Sequence, residues 1–220
     1  MIQLEEAFPI WTALTPQQQQ TLRQTAVLRH AAQGTVLHHG AADCVGLFLV
    51  ESGQLRAYFV SDTGREITLY RLFERDMCLF SASCMVNSLQ FDVMISTEKD
   101  SSFWVIPVAT YQALMQQNIA VANYTNELMA TRFSEVMWLV DQVLFHSQDS
   151  RLAGFLLEES NIEQSDTLEL TQEKIAGHLG TAREVVTRLL KYLQSEGLVQ
   201  VFRGGVRLLN RKGLQQIAEK

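Results

Sequence analysis

The feature that most constrains this chain is a stretch near its C-terminus, residues 170–193, that predicts two short helices joined by a tight turn. Thr171 can cap the first helix because its hydroxyl can accept a hydrogen bond from a free backbone N–H. Gly180 suits a left-handed helix end, which residues with a Cβ resist, and Thr181 is predicted to cap the second helix. Apolar residues recur at spacings of three and four, so each helix has one face to bury.

The second helix has a charged outer face that suits the reading of bases. Arg183, Glu184 and Arg188 fall largely opposite the apolar positions. Arginine can bond the O6 and N7 acceptors of guanine, and glutamate can accept from the N4 amine of cytosine. The pattern therefore predicts a helix-turn-helix whose second helix enters a major groove. An ordinary solvated helix face is the alternative, but the cap, the glycine turn and the basic helix occurring together in order favour DNA binding.

The same segment resembles the DNA-binding domain of the Crp/Fnr family of bacterial transcription regulators. The resemblance covers residues 170–198 and includes the opening Leu-Thr-Gln-Glu-x-Ile-Ala, the Arg183-Glu184 pair and the closing Glu-Gly-Leu. In the family's cyclic-AMP receptor branch, an Arg-Glu-x-x-x-Arg pattern contacts a TGTGA-like half-site. Arg183, Glu184 and Arg188 stand at those positions, so the resemblance implies the same preference, a palindromic duplex and RNA polymerase as a partner.

A predicted wing follows the second helix. Two short strands over residues 199–203 and 206–209 flank a Gly-Gly pair, which is a strong hairpin signal, and a last short helix is expected over residues 211–220. Arg203 or Arg207 in the wing could contact phosphates. The residues expected to contact DNA are Thr171, Gln172, Thr181, Arg183, Glu184, Thr187, Arg188, Lys191 and Arg203.

The charge distribution supports this assignment. The net charge of −6 conceals a strong asymmetry along the chain. Residues 170–220 hold nine Lys and Arg against four Asp and Glu, whereas residues 147–169 hold one against six and residues 1–146 hold eight against 14. A basic last quarter is what phosphate neutralisation requires, and the acidic remainder keeps the rest of the chain away from nucleic acid.

The N-terminal half changes period. Residues 4–30 are predicted to be helical, with a helix start at Pro16 and with Leu14, Leu22 and Val27 in the core. Short apolar and β-branched runs then alternate with glycines, which predicts an antiparallel barrel or jelly roll with a hairpin tip at residues 62–64. The runs are residues 36–37, 47–50, 55–60, 67–72, 93–95 and 103–106. Residues 50–55 and 64–69 look like the effector-binding β-roll of the same family, more loosely.

Residues 107–146 are predicted to be helical again and to pair with a second copy of the chain. Their apolar positions alternate in steps of four and three, which is the heptad pattern of a coiled coil. The predicted dimer seam is Ala122, Asn126, Met129, Phe133, Val136, Val140 and Val143. A helix packed on its own barrel is the alternative, but a palindromic site needs a two-fold protein and favours the dimer. A hinge is expected over residues 146–150.

The predicted fold class is therefore α+β. It comprises a cyclic-nucleotide-binding-like antiparallel β-roll, or jelly roll, as a sensor over residues 1–108, and a long dimerisation helix with its hinge over residues 109–146. A C-terminal winged helix-turn-helix follows over residues 147–220. The expected function is a sequence-specific, DNA-binding transcription regulator that is controlled by an effector or redox signal at the β-roll, and not an enzyme.

Cyclic AMP is not the expected effector. In the family's cyclic-AMP branch a Gly-Glu-Leu motif and a later Arg-Ser or Arg-Thr hold the ribose and the phosphate. Residues 76–93, which match that region, contain neither Glu nor Arg, and Arg71, Arg75 and Lys99 are the nearest cations in sequence but match no motif. Burying a phosphate costs free energy because the charge loses its water, and only a paired cation offsets that cost.

Cysteine offers another signal. Cys44, Cys78 and Cys84 are candidates for a redox or metal switch, either through a Cys78–Cys84 disulfide or through thiolates that bind a metal, and plain apolar packing is the alternative. Three cysteines cannot supply four ligands to a cluster, and the oxygen-sensing branch's N-terminal cysteine cluster is absent. Haem bound by a cysteine or by His30, His38 or His39 stays open, so the cofactor is unassigned.

Two other function classes and the location of the protein complete the expectations. A cupin-like metalloenzyme or a thiol oxidoreductase on the β-roll is disfavoured, because no two histidines stand with a carboxylate at ligand spacing and no Cys-x-x-Cys occurs. A DNA-bound architectural protein that senses nothing is the other alternative. The odd cysteine count, the absence of a signal peptide and the lack of a membrane-spanning stretch predict a cytoplasmic protein without membrane contact.

Overall fold

The computed structural model describes residues 3–40, 44–85 and 92–219, and the side chains of residues 83–85 lie outside this description. The chain divides into two compact units, one of Met1–Phe59 with Leu69–Val136 and one of Val60–Thr68 with Met137–Lys220. The predicted three-part division at residues 108 and 146 follows expected function rather than compactness, and it stays a prediction.

The N-terminal part begins with short helices and continues as strands. Its helices are α1 (Leu4–Ala7) and α2 (Pro16–Thr25), with a 3-10 turn over Trp11–Ala13 between them. Its strands are β1 (Val27–Ala31), β2 (Val36–His39), β3 (Leu47–Ser52), β4 (Leu55–Val60), β5 (Glu66–Leu72), β6 (Met77–Cys78), β7 (Met94–Thr97) and β8 (Ser101–Ile106), with a 3-10 segment over Phe80–Met85 after β6. The structure thus has helices before strands, in the predicted order.

The strands form two four-stranded sheets, in the orders β1-β8-β3-β6 and β2-β7-β4-β5. The described strand pairings within each sheet are antiparallel, for example Leu49 opposite Trp104 in the first sheet and Ala57 opposite Ile95 in the second. Leu47, Leu49 and Ile106 are fully buried in a core that also includes Leu22 of α2. The predicted antiparallel β-roll is therefore confirmed.

The helical prediction for residues 4–30 extends too far. A capping box starts α2 at Pro16, as predicted, since the backbone N–H of Gln18 donates to the Thr15 hydroxyl at 3.3 Å. The helix ends at Thr25, and Val27 then begins β1 and is 47% exposed instead of buried. The pairing of β1 with β8 joins residues that are 70 to 78 positions apart, which local helical spacing cannot reveal.

The predicted helical region after the sheets is two helices, α3 (Val108–Gln117) and α4 (Ile119–Phe145). Asn118 separates them with extended backbone angles and accepts from the Ala120 N–H through its side chain at 3.0 Å. Ser147 then caps the next helix, α5 (Gln148–Ile162), by accepting from the Ser150 N–H. The chain thus breaks its helix at residues 146–147, inside the predicted hinge.

The C-terminal part is a winged helix-turn-helix, as predicted. It comprises α5, β9 (Thr167–Leu168), α6 (Gln172–Leu179), α7 (Arg183–Ser195), β10 (Val199–Phe202), β11 (Gly205–Leu208) and α8 (Arg211–Ala218). The strands form an antiparallel sheet in the order β10-β11-β9. Ile175, Val186 and Leu190 are buried together with Leu152 of α5 in one apolar core. The inward faces of α6 and α7 are therefore those that the sequence spacing predicts.

Two details of this domain differ from expectation. The residue that flanks the start of α7 is Ala182, which makes no side-chain capping bond, so the predicted cap at Thr181 is wrong by one residue. The wing turn is Arg203-Gly204, because Phe202 pairs with Gly205 in the strand ladder. Gly204 has a φ of 86°, the left-handed angle that glycine adopts without strain in a tight turn.

Two glycines of this domain give a matched test of the turn. Gly180 has a φ of 68°, so Gly180→Ala should lower the free energy of unfolding by about 1–2 kcal/mol because a Cβ is strained there. Gly154 lies within α5, where a Cβ would be 3.9 Å from the Ala218 Cβ, so Gly154→Ala should raise it by up to about 1 kcal/mol. Urea denaturation measures both changes, and equal effects of the two substitutions would contradict the assigned turn.

Candidate nucleic-acid interface

The first helix of the pair, α6, begins with the predicted cap. The Thr171 hydroxyl accepts a hydrogen bond from the Lys174 N–H at 3.2 Å, and Thr171 has extended backbone angles. Thr171 and Glu173 are exposed, whereas Gln172 between them is half-buried. The cap therefore leaves a set of polar groups at the start of α6, at the surface of the domain.

The turn between α6 and α7 is held from two sides. Gly180 ends α6 in the left-handed conformation, and its N–H donates to the Ala176 carbonyl. The buried Arg151 side chain from α5 donates from Nη2 to the Leu179 carbonyl at 2.7 Å, which satisfies a carbonyl that has no partner within the helix. Burial lowers the pKa of Arg151. Its positive charge lies at the C-terminal end of α6, where the helix dipole is negative, and is stabilising there.

The charged face of α7 is turned to solvent. Arg183, Glu184, Arg188 and Lys191 are exposed, and Thr187 is half-buried. Across the residues that the structure describes, neither Arg183 nor Arg188 is held in an ion pair through its side chain. The two guanidinium groups thus keep their hydrogen-bond donors available for a ligand, as base reading requires.

A cleft of about 490 Å³ lies between the start of α6, the start of α7 and the wing. It is lined by Leu170, Thr171, Gln172, Glu173, Arg183, Val201, Phe202, Arg203, Gly204 and Gly205. Four of the nine predicted DNA contacts, Thr171, Gln172, Arg183 and Arg203, are therefore brought together, although residues 172 and 203 are 31 positions apart in sequence. Thr181 is half-buried in the turn, outside this set of lining residues.

The four remaining members of the predicted set lie on α7: Glu184 is exposed in its first turn, and Thr187, Arg188 and Lys191 lie one to two turns from its start. Thr187 contacts Gln172 of α6, whereas Arg188 and Lys191 extend the exposed face. Arg207, the second candidate in the wing, donates from Nε to the Thr167 hydroxyl at 3.2 Å and so has a role within its own sheet. Arg203 is at the tip of the wing and is exposed.

The predicted dimer seam lies on α4 and is apolar and largely open in the single chain. Phe133 is 67% exposed, and Val140 and Val143 are 40% and 45% exposed. Asn126 is also exposed, while Ala122, Met129 and Val136 are partly buried. Met137, Trp138, Leu144 and Phe145 add further exposed apolar side chains to the same helix. Such a concentration of exposed apolar surface typically marks a protein interface.

The cysteines are arranged differently from the Cys78–Cys84 pair considered from sequence. Cys78 is a free thiol that is completely buried on β6, opposite Phe48, so it is not in a disulfide. Burial raises the pKa of this thiol, which keeps it protonated and unreactive at neutral pH. Cys44 is exposed and disulfide-bonded. The side chain of Cys84 lies outside the described residues.

A cation that sequence reasoning missed lies in the β-roll unit, which is the compact unit of Met1–Phe59 with Leu69–Val136. Arg132 of α4 is buried with its guanidinium 4.5 Å from the Tyr70 ring, and its Nη1 contacts both Glu135 carboxylate oxygens. Its Nε is buried and has no hydrogen-bond partner among the described residues. Burial lowers the pKa of Arg132, but Glu135 and Tyr70 outweigh that effect and the net pKa is raised. In the sequence, the spacing of three residues between Arg132 and Glu135 on one helix was the local sign of this ion pair.

Arg71 and Arg75, which are the arginines nearest in sequence to residues 76–93, are paired or exposed. Arg71 forms an ion pair with Glu98 at 2.9 Å, and Arg75 is 60% exposed. No cluster of three or more His, Cys, Asp or Glu side chains suited to a metal occurs among the described residues. Within the described ranges, no helix has the length and apolar character needed to cross a bilayer.

The fold and the site define a class of protein. A winged helix-turn-helix domain with an exposed basic second helix follows an antiparallel β-roll and a long helix. Residues 150–217 match the Crp-like helix-turn-helix domain, and residues 28–118 match the cyclic nucleotide-binding domain. The class is that of DNA-binding transcription regulators with a β-roll that is similar to the cyclic nucleotide-binding domain.

Comparison with individual proteins specifies the family. A solved structure of a Crp/Fnr-family protein from Eubacterium rectale is 51% identical, with a TM-score of 0.94 over 97% of this chain and 99% of that one. The cyclic AMP receptor protein of Thermus thermophilus is 25% identical over 96% of both chains. The anaerobic regulatory protein of Bacillus subtilis is 22% identical over 87% of this chain and 83% of its own. This chain belongs to the Crp/Fnr family of DNA-binding transcription regulators.

The contrast between the cysteines predicts their reactivity. In the folded, reduced protein at mildly alkaline pH, iodoacetamide should modify Cys44 roughly tenfold or more faster than Cys78, because the Cys78 thiol is buried and its pKa is raised. Peptide mass spectrometry after timed quenching measures both rates. In denaturant the two rates should become similar, and rapid labelling of Cys78 in the folded protein would contradict its assigned burial.

Proposed function

We propose that this protein is a homodimer that binds a palindromic, TGTGA-like duplex and is switched by a signal received at its β-roll. The observation that carries the proposal is the exposed face of α7, where Arg183, Glu184 and Arg188 retain free hydrogen-bonding groups. Arginine fits guanine and glutamate fits the cytosine amine, which are the groups that a TGTGA half-site and its complement present. The family's cyclic-AMP receptor branch uses the same residue pattern.

The dimer is supported by the apolar surface of α4. The predicted seam offers side chains at alternating steps of four and three, and Phe133 is more exposed than Val140 and Val143. Burial of this stripe against its own copy would remove apolar surface from water in both subunits. A two-fold dimer would also present two recognition helices to successive major grooves of a palindrome, about one DNA turn apart. In this arrangement the regulator would act on transcription through RNA polymerase.

The signal is the finer part of the proposal. A signal controls DNA binding when it favours one arrangement of the dimer helix and the DNA-binding domains over another. The exposed, disulfide-bonded Cys44 supports a redox signal, because an exposed disulfide is accessible to thiol exchange. Cyclic AMP is not proposed, since two cations with buried side chains in the described part of this unit are already neutralised, Arg132 by Glu135 beside the Tyr70 ring and Arg71 by Glu98. Among the described residues, no cluster of three or more metal-ligating side chains supports a metal effector.

The role of α7 predicts the effect of one substitution. Arg188→Ala should weaken binding to a TGTGA-like palindrome by about 1–3 kcal/mol and relax the base preference at one position. Fluorescence anisotropy on the palindrome and on duplexes with single changes measures both effects. Arg29→Ala removes the same charge from an exposed position on β1 and should leave binding unchanged. Unaltered specificity of the Arg188 variant would show that this residue does not read a base.

The seam predicts a change of oligomeric state. Phe133→Lys should weaken the dimer by about 3 kcal/mol or more, because two copies each lose the burial of a phenyl ring at the two-fold interface. Sedimentation velocity over a range of concentrations measures the dissociation constant. Leu209→Lys introduces the same charge at a leucine that is 56% exposed outside α4, and it should have no effect on association. A monomeric wild-type protein at working concentrations would refute the dimer.

The proposed signal predicts two opposite outcomes for DNA affinity. Cyclic AMP should leave the affinity unchanged and give no binding heat in calorimetry, whereas reduction of the Cys44 disulfide should change the affinity for the palindrome. Cys44→Ser should abolish the response to reductant, while Cys78→Ser should preserve it because Cys78 is already a free thiol. Tight cyclic-AMP binding, or equal affinity of the oxidised and reduced wild-type protein, would overturn this part of the proposal.

A further inference from the structure

A side-chain contact joins the two helices of the DNA-binding motif beside the cleft. The Thr187 hydroxyl oxygen of α7 lies 2.5 Å from Oε1 of Gln172, the first residue of α6, and 2.9 Å from the Arg183 carbonyl oxygen. Thr187 and Gln172 are both half-buried, so the contact is partly shielded from water. Gln172 also lines the cleft together with Arg183 and Arg203.

The shorter of these contacts orients the Gln172 amide, because two oxygen atoms 2.5 Å apart require the hydroxyl hydrogen between them. A glutamine side chain has an acceptor oxygen at one end and an NH₂ group with two donors at the other. When Oε1 is directed to the Thr187 hydroxyl, which donates to it, Nε2 is directed away from Thr187. The same cleft is lined by Gly204 and by the cationic Arg183 and Arg203, which outnumber the one lining carboxylate, that of Glu173. Its lining therefore suits an anion that accepts hydrogen bonds, and DNA phosphates are the anions that fix a protein's register on a duplex.

We propose that Thr187 is a positioning residue for DNA binding, whose hydroxyl holds Gln172 so that the Nε2 amide donates to a backbone phosphate in the cleft. The inference rests on the proposed function and assigns separate roles along one helix. The Thr187 hydroxyl has one hydrogen, which Gln172 Oε1 and the Arg183 carbonyl oxygen share, so that no hydrogen is left to donate to a base edge. Base choice then falls to Arg183, Glu184 and Arg188.

The neutral amide gives this contact a distinctive signature. A lost phosphate contact weakens binding to all sequences alike, because phosphates carry no direct sequence information. The salt dependence should stay unchanged, since a neutral amide displaces no counterion, whereas loss of a phosphate-binding arginine lowers the slope by about one. Arg203→Ala therefore serves as the charged comparison at the same cleft.

The experiment uses the full-length protein and compares Thr187→Val, Thr187→Ser, Gln172→Ala and the Thr187→Val/Gln172→Ala double variant. Valine keeps the shape of threonine and removes the hydroxyl, whereas serine keeps the hydroxyl. Fluorescence anisotropy is measured on the TGTGA-like palindrome and on a scrambled duplex at several salt concentrations, and circular dichroism melting checks that each variant is folded. Thr187→Val should weaken binding to both duplexes by about three- to tenfold, the range expected for one hydrogen bond.

The remaining variants separate positioning from other roles. Thr187→Ser should bind like the wild type, and the double variant should be no weaker than Gln172→Ala. The ratio of specific to non-specific affinity and the salt slope should stay at the wild-type values in Thr187→Val. A folded Thr187→Val variant with wild-type affinity, a changed sequence preference, or additive losses in the double variant would each overturn the inference. If the wild-type protein bound neither duplex, the proposed function itself would fail, which distinguishes the two results.

Discussion

The arrangement of this DNA-binding domain depends on the turn between α6 and α7. A left-handed Gly180 ends the first helix, and the buried Arg151 guanidinium holds the Leu179 carbonyl at that end. An unsatisfied carbonyl or a strained residue at this point would cost free energy comparable to a lost hydrogen bond. The turn thereby fixes the angle at which α7 leaves α6, and this angle decides which side chains of the two helices meet.

The polar surface that results offers two kinds of group, which suit the two tasks proposed for it. Arg183 and Arg188 are exposed and free of ion pairs in the described residues, so they can form directional bonds to bases. Gln172 and Arg203 belong to a cleft between the helix starts and the wing, which suits a phosphate. Positive charge supplies affinity for DNA of any sequence, whereas oriented neutral donors help to fix the register of the protein on the duplex. The acidic character of the chain before residue 170 confines the attraction to this surface.

The β-roll unit places its charged and reactive groups according to burial. Arg132 is a buried cation, and its neutralising contacts with Glu135 and the Tyr70 ring offset the loss of solvation. Cys78 lies in the same neighbourhood, 3.9 Å from the Tyr70 hydroxyl, where burial raises the pKa values of both groups and keeps them neutral. Cys44 is outside that apolar environment and is exposed. Chemistry on sulfur is therefore favoured at Cys44 and suppressed at Cys78.

Sequence by itself determined the elements whose signals are local: the Thr171 cap, the Gly180 stop, the apolar faces of α6 and α7 and the hairpin of the wing. These depend on residues within one or two turns of each other, so spacing and backbone preference suffice. Tertiary structure alone decided the strand β1, the two-residue strands β6 and β9, the burial of Arg132 and the state of Cys44 and Cys78. It also decided the contact of Thr187 with Gln172, since 15 positions and a turn separate the two residues. Each of these depends on partners distant in sequence, and the packing of the whole unit selects those partners.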